Sequence, residues 1–228
     1  DGSFFLNMDY FDFCTSDKMT NYRFDKLFNK NPRIPESDIS NDDMDLAASI
    51  QKITEEVIIK TSRNIKTETN QNKICLAGGV ALNCVANGLL LREKIFDDVW
   101  VQPAAGDAGG SIGAAYAAYY LMLNNSRSVN TNDDKMKGSY LGKSYDNYDV
   151  RNILDKLNAK YTEESTEEII AKTAKYIADG NIVGWMNGKM EFGPRALGNR
   201  SILADPRKVD MQKNLNLKIK FRESFRPF

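Results

Sequence analysis

Histidine does not occur in these 228 residues. Its absence excludes Ser-His-Asp and Cys-His catalysis, and every histidine-ligated metal site, from what the chain can build alone. Chemistry here falls to Asp, Lys, Arg, Asn and backbone amides. Cysteine is scarce: Cys14, Cys75 and Cys84 make an odd set with no metal-type spacing, which fits a reducing cytoplasm and buried or idle thiols. Long hydrophobic runs are missing as well. The longest small-and-apolar stretch, residues 112–123, falls well short of the ~20 residues a membrane span needs. No signal peptide opens the chain, which starts mid-pattern at Asp1-Gly2-Ser3, so a piece of a longer protein is expected. Charge of one sign is not in excess: 31 basic and 31 acidic residues cancel, giving no support to bulk nucleic-acid binding.

What is present, 42% hydrophobic and 27% charged residues, suits a soluble α/β protein of one or two domains. The charge is unevenly spread. Asp1 to Glu56 holds twelve acidic and six basic residues; Met186 to Phe228 holds ten basic and four acidic. A basic C-terminal segment fits a small anionic ligand, and it fits a solvated basic surface equally well.

Periodicity predicts the elements. Ser3–Tyr10 and Phe11–Phe13 are aromatic-rich and read as strand, and Leu27–Ser40, with Pro32 and Pro35, as a surface loop. Asp42 or Asp43 is placed to cap a helix running to Ile65, with Leu46, Ile50, Ile53, Val57 and Ile58 on one buried face. A unit then repeats. Residues 74–77 are a strand, Gly78-Gly79 a turn and Val80–Lys94 a helix. Residues 99–101 are a strand, Pro103–Gly110 a small-residue loop and Ser111–Leu123 a helix. Strand, glycine-rich turn and helix, twice over, is the pattern of an α/β nucleotide-binding layer. Residues 124–137 are polar and read as a linker. Beyond them, helices are expected at Asp149–Leu157 and Thr166–Ala178. Strands are expected at Ile182–Met186 and Lys189–Phe192, joined by a tight Asn187-Gly188 turn.

Three motifs carry chemistry. Gly78-Gly79-Val80-Ala81-Leu82-Asn83 lets backbone approach a ligand and points a helix N-terminus at an anion, while Asn83 can donate and accept to a purine or ribose. The glycines alone also fit plain strand–helix packing. In Pro103–Gly110, Asp107 is open to a metal or phosphate, or is simply an N-cap. Two such loops on successive strands would face one sheet edge, where α/β folds bind ligands. The third motif, Gly188 to Ser201, gathers Lys189, Arg195 and Arg200 among glycines that allow close backbone approach. Phe192, Leu197, Ile202 and Leu203 are expected to be buried near those charges, which favours a defined pocket. Gly138 to Ser144 resembles a phosphate loop but has three residues between its glycines instead of four, so it is read as the start of a domain.

In this order the motifs resemble the O-carbamoyltransferase family of nodulation and antibiotic-tailoring enzymes. The matching segments are Leu76 to Gly88, Gln102 to Gly110, Lys189 to Arg207 and Lys218 to Phe228, so the likeness covers nearly the whole chain. The resemblance implies the second half of an actin/Hsp70-like (Kae1-like) nucleotide-binding domain over residues 1–125. A linker at 126–137 and part of an α+β YrdC-like domain at 138–228 would follow. It implies ATP as cosubstrate, with Gly78, Gly79, Val80, Asn83, Gly106 and Gly109 around the nucleotide. Asp107 would sit on a divalent metal, iron in the family pattern, and Lys189 and Arg195 would hold carbamoyl phosphate. Carbamate from carbamoyl phosphate would be adenylated, and the carbamoyl group passed to a hydroxyl of a small molecule or glycan. The family's histidine metal ligands lie upstream and its pattern continues past Phe228, so this fragment alone is expected not to turn over. No nucleic-acid or membrane partner is expected, a homo-oligomer is left open, and the cytoplasm is the expected compartment. A threonylcarbamoyl transferase acting on tRNA and a non-catalytic nucleotide-binding module stay open as alternatives. The Phe192–Gly198 block in a fused second domain argues against the first of these.

Overall fold

A computed structural model describes residues 1–130 and 132–228 and shows mixed helix and sheet. Among the described residues seven α-helices and four strands run in the order α1 Tyr22–Phe28, α2 Asn41–Thr69, β1 Lys73–Leu76, α3 Cys84–Arg92, β2 Asp98–Val101, α4 Ala108–Ala117, α5 Asn147–Lys156, α6 Thr166–Ala178, β3 Val183–Met186, β4 Arg200–Leu203 and α7 Met211–Asn214. The described chain packs as two compact units. One is Asp1–Cys75 with Asn83–Trp100, and the other is Leu76–Leu82 with Val101–Phe228.

In the first unit α2 starts where local chemistry dictates. The Ser40 hydroxyl accepts from the Asp43 amide at 3.3 Å, and the Asp43 carboxylate accepts from the Ser40 amide at 2.9 Å. This capping box satisfies donors the helix leaves unpaired. The Ser40 hydroxyl and amide, with Lys30 nearby, hold the Asp43 carboxyl at about 2. The cap is thus Ser40, with Asp43 in the reciprocal role, and the helix runs four residues past Ile65 to end at Asn70, φ 51°. The expected apolar face is only partly covered. Ile59 is buried, whereas Ile50 and Ile53 stand 63% and 56% exposed. A helical stripe specifies which side chains align, but not what covers them. Ala86 and Leu90 of α3, with Phe96, complete this unit's core.

Aromatic content misleads at the N-terminus. Residues 3–13 form no strand; a 3-10 turn spans Met8–Tyr10 and a single bridge joins Phe11 to Thr20. Phe11 and Phe24 instead meet ring to ring at 6.1 Å. All three cysteines are exposed and unpaired, so of the expectation of buried or idle thiols the buried half does not hold.

β1 and β2 pair. Asp97 N donates to Asn72 O at 2.8 Å and Gln102 N to Leu76 O at 3.0 Å, so the partners advance together and the strands run parallel. The helix after β1 begins at Cys84 and not at Val80, because Gly79–Leu82 forms a 3-10 turn and Asn83 supplies the cap. The helix after β2 begins earlier than Ser111, at Ala108, and widens into a π-turn over Ala118–Met122.

In the second unit α5 and α6 lie close to their expected spans, with Ser165 and Glu168 forming a capping box on α6. The expected tight hairpin does not form. β3 pairs antiparallel with β4, Val183 opposite Leu203 and Met186 opposite Arg200, so Lys189 to Phe192 lies in the long connection between them. A strand there would need its amides for a ladder, yet Met190 N donates to Lys143 O and Phe192 N to Ser139 O.

Candidate functional site

The second unit brings parts of all three motifs together. At the ends of β1 and β2 the Gly78 amide donates to Ala105 O at 2.6 Å, which sets the two glycine loops side by side. Gly78 has φ +103°, a backbone state that side chains other than glycine rarely adopt. A Cβ on Gly79 or Gly106 would meet nothing within 4 Å, and Val80 is 60% exposed, so this rim is bare backbone facing open space. Gly109 differs: a Cβ there would lie 2.2 Å from Ala104 O, so packing alone requires that glycine. Gly193, φ +137°, comes against the same loop, where a Cβ would stand 3.0 Å from Pro103 O.

Asn83 belongs to the first unit. Its Oδ1 accepts from Ala86 N at 3.1 Å, capping α3, and its Nδ2 donates to Gln51 Oε1 at 2.8 Å. Asp107 is at the cap position of α4, exposed, with helical backbone and no side-chain cap hydrogen bond. Its carboxylate is therefore available to a ligand. Among the described residues no three His, Cys, Asp or Glu side chains come together in a way that could hold a metal ion. The residues present offer one carboxylate, do not make a metal site, and support no step through a metal.

The basic cluster sorts by occupation. Arg200 Nε donates to Glu191 Oε2 at 2.8 Å, Arg207 Nη2 to Asp205 Oδ2 at 2.8 Å, and Arg222 Nε to Asn216 Oδ1 at 2.7 Å. Lys189 and Arg195 are exposed, and their side chains have no hydrogen-bond or ion-pair partner among the described residues. Leu197, expected to be buried, is 48% exposed, while Phe192, Ile202 and Leu203 are half-buried. A cavity of about 490 Å³ lies between β4 and α7, lined by Ile202, Met211, Leu215 and Phe228, with neither Lys189 nor Arg195 in its lining.

Sequence reasoning missed three buried polar side chains that hold this region: Glu191, Asp205 and Asn216. Glu191 Oε1 accepts from the amides of Leu197 and Asn199, both at 2.7 Å, and of Arg200 at 3.3 Å. Burial pushes its carboxyl up, but the Arg200 guanidinium and the Leu197 and Asn199 amides outweigh burial and hold it at about 2. Asp205 is likewise held at about 2 by Arg207. The available signal was an acidic residue set inside a basic motif, since an isolated carboxylate among arginines has partners at hand.

The comparisons with known proteins agree with the motifs. A family model described as carbamoyltransferase N-terminus matches residues 1–116, and one described as carbamoyltransferase C-terminus matches residues 174–228. An uncharacterized protein of Synechocystis sp. is 51% identical over 230 residues, covering 100% of this chain and 37% of its own length. Nodulation protein NolO of Bradyrhizobium diazoefficiens is 40% identical across 81% of this chain and 33% of its own length. Nodulation protein NolNO of Sinorhizobium fredii is also 40% identical, across 81% of this chain and 26% of its own length. The chain thus spans about a third of the length of these relatives, and by both matches it belongs to the carbamoyltransferase family.

Proposed function

We propose that the full-length protein is an ATP-dependent O-carbamoyltransferase, and that this chain supplies its nucleotide rim and its carbamoyl phosphate loop. The observation that carries the reading is the division of the basic cluster. Three arginines are held by internal partners, while Lys189 and Arg195 stay free for an anion. A planar guanidinium and a compact ammonium suit a phosphate dianion, each charge-assisted hydrogen bond contributing about 1.5–3 kcal/mol. The bare backbone at Gly78, Gly79, Val80 and Gly106 suits close approach of a nucleotide. Kae1-like and YrdC-like architecture is the frame this reading adopts, with the cytoplasm as its compartment. No described helix is long and apolar enough to cross a membrane.

In this reading water hydrolyses carbamoyl phosphate, breaking the bond between the carbamoyl group and the phosphate, to give carbamate, inorganic phosphate and a proton released to solvent. The carbamate oxygen attacks the α-phosphorus of ATP and expels pyrophosphate. The acceptor hydroxyl then attacks the carbamoyl carbon, with AMP leaving and the hydroxyl proton passing to solvent or base. Lys189 and Arg195 neutralise and orient the phosphate, and holding both reactants in place lowers the barrier by up to ~7–11 kcal/mol. Asp107 is proposed to lend one carboxylate to a divalent metal whose other ligands lie outside this chain. The acceptor class is a small-molecule or glycan hydroxyl.

The test is the carbamoyl phosphate dependence of ATP cleavage to AMP by the full-length protein. Arg195→Lys keeps the charge and loses the fork, so the KM for carbamoyl phosphate should rise while the KM for ATP holds. Gly79→Val, at a position with no neighbour within 4 Å of a Cβ, should fold and lose nucleotide affinity. AMP formation indifferent to carbamoyl phosphate, or normal kinetics in both variants, would overturn the reading.

A further inference from the structure

We propose that Glu191 is the positioning residue of the anion site, its buried carboxylate closing residues 192–196 into a fixed loop that presents Arg195. The inference rests on the reading of Lys189 and Arg195 given above. The Glu191 side chain has no exposed surface. A carboxylate so placed needs partners, and besides its own amide it finds four donors on the far side of the loop it begins. Oε1 accepts from Leu197 N, Asn199 N and Arg200 N, and Oε2 accepts from Arg200 Nε. Only Phe192, Gly193, Pro194, Arg195 and Ala196 lie between the anchor and its first amide.

Both ends of that loop are tied again. Phe192 N donates to Ser139 O at 2.7 Å, and the Tyr140 hydroxyl donates to Leu197 O at 2.9 Å. Asn199 Nδ2 donates to Lys189 O at 2.7 Å, so the backbone of the second free cation is fixed to the same frame. At the loop's middle Pro194 restricts the backbone just before Arg195. Glu191 thus touches neither free cation, and its influence on them runs through the backbone. Ordering a loop in advance removes an entropy loss that binding would otherwise incur, so loosening the loop should weaken the anion site and leave other steps alone.

A double-mutant cycle in the full-length protein tests this, reading the KM for carbamoyl phosphate against kcat and against the KM for ATP. Glu191→Gln keeps the shape, removes the charge and sets an amide against backbone donors. On the wild-type background it should raise the carbamoyl phosphate KM roughly tenfold with the ATP KM unchanged. On an Arg195→Ala background the same change should add almost nothing, because the residue through which it acts is gone. An equal rise on both backgrounds would overturn the proposal, as would a wild-type KM in folded Glu191→Gln. If Glu191→Gln does not fold, Asn199→Ala serves in the same cycle. It should raise the KM roughly threefold only while the Lys189 side chain is present, so Lys189→Ala is its background. Equal effects there would overturn the proposal too. A wild-type carbamoyl phosphate KM in Arg195→Ala itself would overturn the reading of the site on which the proposal stands.

Discussion

The loop at residues 78–82 and the connection at residues 187–199 lie in the same compact unit and are built in opposite ways. At the first, the backbone is bare: Gly79 has nothing within 4 Å of a Cβ position, and Val80 is exposed. At the second, the backbone is held by Glu191, Ser139, Tyr140 and Asn199, while two long cationic side chains are left without partners. A site that recognises a ligand through its main chain needs open space. One that recognises it through flexible Lys and Arg side chains needs a rigid base, since each carries large rotamer entropy. The contrast lies in what each loop exposes: the rim, tied by the Gly78 amide and its own 3-10 turn, shows backbone, and the connection, tied by side chains, shows two free cations.

Substitutions at the glycines should break or sharpen this contrast most. Gly193→Ala sets a Cβ 3.0 Å from Pro103 O at φ +137° and should cost about 1–3 kcal/mol, read as a fall in the urea midpoint at constant slope. A midpoint unchanged by this variant would mean that the connection is as loose as the rim.

Acid should act next, on the buried anchor. The folded carboxyl of Glu191 is held at about 2 against an ordinary 4.5, burial being outweighed by Arg200 and the two amides. A lowered carboxyl stabilises the fold above pH 4.5, and that contribution is lost as pH falls toward 2. Glu191→Gln should therefore narrow the difference between the denaturation midpoints at pH 7 and pH 3. Part of the difference should persist through Asp43 and Asp205, both also held at about 2. A difference as wide as in the wild type would show that the carboxylate is not anchored as described.

Ser139 offers a smaller effect of opposite sign. Its hydroxyl is buried without a hydrogen-bond partner among the described residues, while its carbonyl anchors Phe192. Ser139→Ala should raise stability by about 1 kcal/mol, measured by the same unfolding curves, and should leave the anchor intact. The smallest effect is expected at the bare rim: Gly79→Ala should shift stability by no more than about 0.5 kcal/mol, in contrast to Gly193→Ala. A loss as large as that of Gly193→Ala would erase the difference between the two loops.

Residue pattern alone decided several features of this protein. The boundaries of α6 and the strand–glycine turn–helix order of the first two motifs follow from period and turn chemistry, which act over a few residues. The basic C-terminal motif and the family likeness were legible for the same reason. Tertiary structure decided which cations remain free, because Arg195 and Arg200 are two arginines of one motif, and only Arg200 donates to Glu191. It also decided that β3 pairs with β4 and not with residues 189–192, since the Met190 and Phe192 amides that a tight hairpin would have used donate instead to Lys143 O and Ser139 O. Local propensity cannot encode that choice: the competing hydrogen bonds come from residues that only the folded chain brings together.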